Sequence, residues 1–327
     1  MKQDLKNQIL SAVSQDLLAI EAALHDNLTP QLDLVSAIAG HLLFSGGKRL
    51  RPLLFVLSAR LCGHDKSDAA SFSTLFEYLH AATLLHDDVV DQAAVRRGKE
   101  VAHVRWGAPE VVLTGDFLLA RSLSLAAATG LPELISVIAG ITEDMSQGEI
   151  DQLSRKGDIR LSEADYMEII RRKTAVLIQG ACRSGAIIAR APKDREEALN
   201  AYGYHLGMAF QMADDLLDYT ADAKTLGKNP GADLREGKLT LPLITALKNA
   251  GPADRSWMET FIQGSEFNET DFRRLVETLT LYDGIGYTRA KAEEHAGLAK
   301  ASLNRFDPST GKDVMLLLTD YAVARQH

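Results

Sequence analysis

Cysteine is almost absent from this chain: Cys62 and Cys182 are the only two in 327 residues. That argues against a disulfide framework and suits a reducing, cytosolic setting. Proline is also sparse, and it stands mostly where helices would open, at Pro52, Pro109, Pro132 and Pro308. Alternating apolar and polar stretches of the strand kind are nearly missing. The first ten residues, MKQDLKNQIL, have charges scattered through them. They lack the apolar stretch of a signal peptide. No apolar run approaches the ~18 residues of a membrane span. Positive charge is in deficit, with 36 Lys and Arg against 44 Asp and Glu and a net charge of −8. Nucleic acid is therefore a poor candidate partner.

What the chain has in quantity is helical periodicity. Apolar residues recur at spacings of three and four over 53–61, 72–90, 111–127, 134–153, 167–188, 198–217 and 241–247. Thr29-Pro30 and Ser162 to Asp165 read as helix starts, the second as a loose capping box. No linker or low-complexity tract divides the chain. The pattern predicts an all-α domain over residues 1–327, of ten or more helices.

Two acidic clusters close two of the apolar helices. In LLHDDVVD, Asp87 and Asp91 stand at i and i+4, on one face and one turn apart, while Asp88 points about 100° away. In FQMADDLLDY, Asp214, Asp215 and Asp218 repeat the D-D-x-x-D arrangement. A single copy reads equally as a solvated helix end. Two copies, each at a helix C-terminus where negative charge opposes the helix dipole, call for a stabilising cation. Oxygen-ligated Mg2+ suits such carboxylates and leaves coordination positions for substrate phosphates.

Cations for those phosphates are present. SGGKRLRP supplies Lys48, Arg49 and Arg51 on a glycine loop at a helix start. Arg96 and Arg97 follow the first acidic cluster, and Lys228 and Lys238 follow the second. Arg171, Arg172, Lys173 and Thr174 sit mid-chain on a helix. His80 lies two turns before Asp87 on nearly the same face, and alone it would read as a core histidine.

In this order, GGKRLRP, LLHDDVVD with RRG, GDFLLA, RRKTAVLIQGACRSGA, FQMADDLLDY and GKNPGADLREGKLTLPLI resemble the motif set of the trans-isoprenyl diphosphate synthases, the polyprenyl synthetases. The resemblance covers 40–246. It implies antiparallel helices around a deep cavity, a homodimer, and up to about three Mg2+ ions per site, bound through oxygen ligands. It implies elongation of an allylic prenyl diphosphate by isopentenyl diphosphate, with pyrophosphate released at each step. By the family's pattern Asp87, Asp91 and Asp214 hold metal, assisted by Asp88, Asp215 and Asp218. Lys48, Arg51, His80 and Arg97 hold isopentenyl diphosphate. Arg96, Lys173, Lys228 and Lys238 hold the allylic diphosphate, and Thr174 and Gln211 present oxygens to the developing cation.

Small residues, Thr83 and Ala82, stand four and five positions before Asp87. In the family this goes with products longer than farnesyl, of octaprenyl class; a short-chain synthase is the alternative. Phe76 reads first as a core residue and second as part of a deeper floor. The glycine-rich segment 225–242 is expected to order over bound diphosphate. The rivals are a class I terpene cyclase, a non-catalytic subunit of a heteromeric synthase, and a helical metal-binding protein. Both acidic clusters and GGKRLRP weigh against the first, the retention of both acidic clusters against the second, and the basic clusters, which it leaves unexplained, against the third.

Overall fold

The structure, a computed structural model, describes residues 2–64, 66–96, 98–220, 231–264 and 267–324. The helices run in chain order as α1 (Lys2–Asn27), α2 (Asp33–Leu43), α3 (Leu50–Leu61), α4 (Asp68–Val90), α5 (Ala102–Trp106), α6 (Ala108–Ala128), α7 (Pro132–Ser154) and α8 (Glu163–Ile170). A π-helical turn, Arg171–Ala175, leads into α9 (Val176–Ile188). Then follow α10 (Lys193–Thr220), α11 (Ala232–Arg235), α12 (Leu241–Asn249), α13 (Pro252–Gln263), α14 (Glu269–Leu281), α15 (Gly284–Ser302) and α16 (Thr310–Val323). One short antiparallel pair, β1 (Val95–Arg96) and β2 (Lys99–Glu100), follows the first acidic cluster. The all-α expectation holds.

Two helices, α3 and α9, are enclosed almost completely. In α3 every residue from Pro52 to Ala59 is buried, and α9 is buried on nearly all sides. A helix that is hydrophobic all round belongs in the middle of a bundle. The two backbones pack almost in contact, since a Cβ on Gly185 would stand 2.5 Å from the Phe55 carbonyl oxygen. One hydrophobic cluster is built from α1–α4, α6, α7, α9 and α16. A second gathers α8, the later half of α10 and α12–α15. The cluster boundary falls along α10, so its acidic C-terminal half is held by the second cluster.

Local signals open several helices, by a side-chain cap or by proline in the first turn. Ser162 Oγ accepts from the Asp165 N–H at 3.1 Å, and the Asp165 carboxylate accepts from the Ser162 N–H at 3.2 Å, completing the expected capping box. Thr29-Pro30 does not open a helix. Proline disfavours helical backbone at the residue before it, and the chain re-enters a helix only at Asp33. The stretch 167–188 is not one regular helix, because the π-helical turn interrupts it.

That turn is packed tightly on α10. A Cβ on Gly207 would lie 2.5 Å from the Ala175 Cα. An alanine there gains about 1 kcal/mol of helix propensity. Overpacking against a backbone that cannot yield costs about 1–3 kcal/mol, so the clash is expected to win. Gly207→Ala should lower Tm and also lower turnover, since α10 carries Asp214. An unchanged Tm would show that the two helices separate freely.

The expectation about apolar runs needs one correction. Helix α6 is long and apolar enough to cross a membrane by length and composition. Asp116 and Arg121 break the run, which is why it is not visible as an uninterrupted stretch. One face of α6, with Val111, Leu118 and Leu125, is buried against the bundle, while Leu113 is 67% exposed.

Candidate active site

Helices α4, α7, α8 and α10, with the π-helical turn, surround a cavity of 710 Å³. Its mouth is acidic and basic together: Asp87 and Asp91 come from the end of α4, Asp214 and Asp215 from α10, and Glu149 and Gln152 from α7. Lys173 and Thr174 enter from the π-helical turn, and Lys238 from the segment before α12. Leu79, Ala82, Leu119, Met145 and Phe210 also line it and give it an apolar part.

The carboxylates are not equivalent. Burial pushes the Asp87 carboxyl up to about 6; Glu149 and Asp91 add to this, while Lys173 and Arg96 oppose it. Burial also acts to raise Asp91, but Lys238 and Lys156 outweigh it and hold that carboxyl below its usual range. Lys156 Nζ stands 3.3 Å from Asp91 Oδ1, and Lys238 Nζ 3.6 Å from Oδ2. On the α7 side Lys173 is ion-paired with Glu149 and donates to Gln152 Oε1 at 2.7 Å.

A hydrogen-bonded chain crosses the opposite wall. Thr174 Oγ1 donates to Gln211 Oε1 at 2.7 Å, and Gln211 Nε2 donates to Asp215 Oδ1 at 2.7 Å. Tyr166 Oη donates to the other Asp215 oxygen at 2.6 Å. Burial, with the charge of Asp233, pushes the Asp215 carboxyl up, and the bonds from Tyr166 and Gln211 oppose it. The Gln211 carbonyl keeps a second lone pair and Thr174 keeps its oxygen acceptors.

Most expected residues meet here. Arg51, His80, Ala82, Thr83, Asp87, Asp91, Arg96, Lys173, Thr174, Gln211, Asp214, Asp215 and Lys238 all line the one cavity. Four do not. Asp88 is 3% exposed and receives Arg96 Nε at 2.9 Å and Nη2 at 2.8 Å, so it positions that arginine. Asp218 is fully buried, and its carboxylate accepts the N–H groups of Ala232 and Asp233 at 3.2 and 3.1 Å. It anchors the start of α11 and does not line the cavity, where the family's pattern has it assisting the metal. Phe76 is a core residue, tilted against Phe55 with ring centroids 5.9 Å apart, which rules it out as a floor of this cavity. Lys48 does not line the cavity; it is exposed, with its ammonium 5.4 Å from the Tyr321 ring centroid. Arg97 and Lys228 lie outside the described residues, as does 225–230 of the segment expected to order over diphosphate.

Glu149, Gln152, Lys156, Tyr166 and Asp233 belong to the site and were not anticipated. A weak signal existed for the first two: Ser146, Glu149 and Gln152 recur every third residue, but among other polar residues, Glu143, Asp144, Gln147 and Asp151. Tyr166 and Lys156 carry no such mark.

Among the described residues no three histidine, cysteine, aspartate or glutamate side chains could hold a metal ion by themselves. The donor set still fits a hard divalent cation. It offers carboxylate oxygens from two walls, and substrate oxygens would complete the coordination.

The polyprenyl synthetase family model matches residues 32–279. The chain is 35% identical over 318 residues to octaprenyl diphosphate synthase of Escherichia coli (strain K12), covering 97% of this chain and 98% of that one. It is 35% identical over 326 residues to the all-trans-nonaprenyl-diphosphate synthase (geranyl-diphosphate specific) of Rhodobacter capsulatus, covering 99% of each. A crystal structure of polyprenyl synthase from Caulobacter crescentus CB15, complexed with calcium and isoprenyl diphosphate, superposes with a TM-score of 0.92. That chain is 40% identical, with 98% of each chain covered. Sequence, fold and cavity thus agree, and the chain belongs to the polyprenyl synthetase family, as a prenyltransferase of the trans-polyprenyl diphosphate synthase type.

Proposed function

We propose that this chain condenses an allylic prenyl diphosphate with isopentenyl diphosphate, repeatedly and with Mg2+, to a trans-polyprenyl diphosphate of octaprenyl class. The observation that carries this reading is the single cavity that joins Asp87, Asp91 and Asp214 to an apolar part beginning at Ala82 and Thr83. The names of the octaprenyl and nonaprenyl relatives support the product class.

Asp87 and Asp91 on one wall and Asp214 on the other would hold Mg2+, with Asp215 held in place behind them. Bound there, Mg2+ supplies charge stabilisation for the departing pyrophosphate. Lys173, Lys238 and Arg96, with Lys228, hold the oxygens of the allylic diphosphate and stabilise negative charge as the C–O bond ionises. Arg51 and His80, with Lys48 and Arg97, hold isopentenyl diphosphate. The oxygens of Thr174 and Gln211 face the developing carbocation. Leu79, Ala82, Leu119 and Phe210 keep water from it. The final proton leaves on the pyrophosphate.

A homodimer in the cytoplasm fits this reading. The outward side of α6 presents Val112 and Leu113 at 36% and 67% exposure, an apolar face that a second copy would cover. The long product favours transient membrane contact at release.

The test is the purified chain alone with Mg2+, farnesyl diphosphate and labelled isopentenyl diphosphate, with products dephosphorylated and sized. Chains of octaprenyl class are expected. Products that stop at geranylgeranyl length would overturn the product class. No turnover without a second protein would point to a subunit of a heteromeric synthase.

A further inference from the structure

Lys48, Arg49 and Arg51 stand within four residues and look alike in sequence. The fold separates them. Lys48 is exposed beside Tyr321, and Arg51 lines the cavity. Arg49 turns inward and is only 5% exposed.

Four hydrogen bonds take up the Arg49 guanidinium. Nε and Nη2 donate to the two Glu21 oxygens at 2.7 and 3.2 Å. Nη1 donates to Glu77 Oε1 at 2.9 Å, and Nη2 also donates to the Leu43 carbonyl at 2.7 Å. A guanidinium has five donors, so little of it is left for a substrate. These bonds tie the loop to α1, to the end of α2 and to α4. Glu77 is 8% exposed and sits three residues before His80 on α4.

The loop backbone is shaped for this contact. Arg49 has φ 48° and ψ 34°, the left-handed region that a residue with a Cβ avoids. A Cβ on Gly47 would stand 2.8 Å from Arg49 Nη1, so Gly47 leaves room for the guanidinium. An observed backbone outlier beside a binding residue is a reason to look for function. Here the left-handed turn sends Lys48 and Arg49 to different sides and starts α3, which delivers Arg51 to the cavity.

We infer that Arg49 is a positioning residue for isopentenyl diphosphate. Its lock on Glu21, Glu77 and Leu43 sets the placement of Lys48 and Arg51 and ties their loop to His80. The inference rests on reading this loop as the isopentenyl diphosphate site.

Steady-state kinetics of three variants test it, with KM measured for each substrate and Tm measured alongside. Arg51→Ala tests the site itself and should raise KM for isopentenyl diphosphate. Arg49→Lys keeps the charge and loses the fork. It should raise KM for isopentenyl diphosphate by about tenfold or more, because small misplacements of binding groups have large effects. KM for the allylic primer and kcat should both stay within about twofold, the signature of weakened binding at one subsite. The double variant Arg49→Met, Glu77→Leu removes the most buried charge pair. Such apolar replacements are often tolerated, and Glu21, with its side chain 41% exposed, can turn to solvent. It should fold with a Tm near wild type and show the same rise in KM.

If Arg51→Ala raises KM and the Arg49 variants keep the wild-type value, the positioning role is overturned and the site stands. If Arg51→Ala leaves KM unchanged, the site assignment falls and the inference falls with it. If the double variant does not fold, Arg49→Lys still decides between these results.

Discussion

Asp87→Ala and Asp214→Ala should each lower kcat by about two to three orders of magnitude at saturating Mg2+. That is the loss expected when stabilisation of developing charge is removed at one point. The two residues reach the same cavity from different helices, α4 and α10. Asp87 is held where burial disfavours its negative charge, with Glu149 and Asp91 as further acidic neighbours. Such a group is stabilised by a cation and is hard to replace by solvent. Two neighbours serve as internal controls. Asp88→Ala should be milder and act on the allylic substrate, since it releases Arg96. Asp218→Ala should lower Tm, because it strips the Ala232 and Asp233 N–H groups of their acceptor. Single-turnover rates with farnesyl diphosphate would measure the chemical step directly. Near wild-type turnover in Asp87→Ala would remove the metal role from α4.

Ala82→Tyr should shift products to short chains while turnover persists. Ala82 is 2% exposed and lines the cavity, and Thr83 beside it also lines it. It lies five residues before Asp87, so a growing chain anchored by its diphosphate at the mouth passes it early. A tyrosine ring placed there would enter the path of the growing chain. Packing it into a filled core would cost about 1–3 kcal/mol, but here part of the ring has the cavity to enter. A modest fall in Tm is therefore expected beside a large change in product size. Product sizing at equal conversion is the measurement. An unchanged distribution would show that chain length is set elsewhere, for example by Leu119 or Met145 on the other walls.

The parts of this site that were legible in the sequence are those set by helical periodicity. Asp87 and Asp91 share a face because they are four residues apart, and His80 joins them for the same reason. What periodicity does not carry is how distant segments meet. Asp214 and Asp218 are equivalent in a D-D-x-x-D pattern, yet only Asp214 lines the cavity. The difference lies in the N–H groups of Ala232 and Asp233, more than a dozen residues onward, which take the Asp218 carboxylate. Lys48, Arg49 and Arg51 are three like charges until a left-handed backbone at Arg49 sends them to three environments. The π-helical turn at Arg171–Ala175 leaves no mark in the apolar spacing, although it carries Lys173 and Thr174 into the mouth. Glu149 was masked by the other polar residues of its helix, Glu143, Asp144, Gln147 and Asp151.

The ion pairs of the mouth have a consequence for what can compete there. Lys156 and Lys238 rest on Asp91, Lys173 on Glu149 and Arg96 on Asp88. An anion that draws off one of these cations strands a carboxylate, and a cation that draws off a carboxylate strands a lysine or arginine. A visitor of one sign therefore meets resistance that a visitor of the opposite sign relieves. In the proposed reaction metal and diphosphate would then be linked ligands, each tightening the other by the same factor. Such a mouth weighs neutral pairs rather than single ions, so dissolved phosphate or salt alone should be a weak inhibitor.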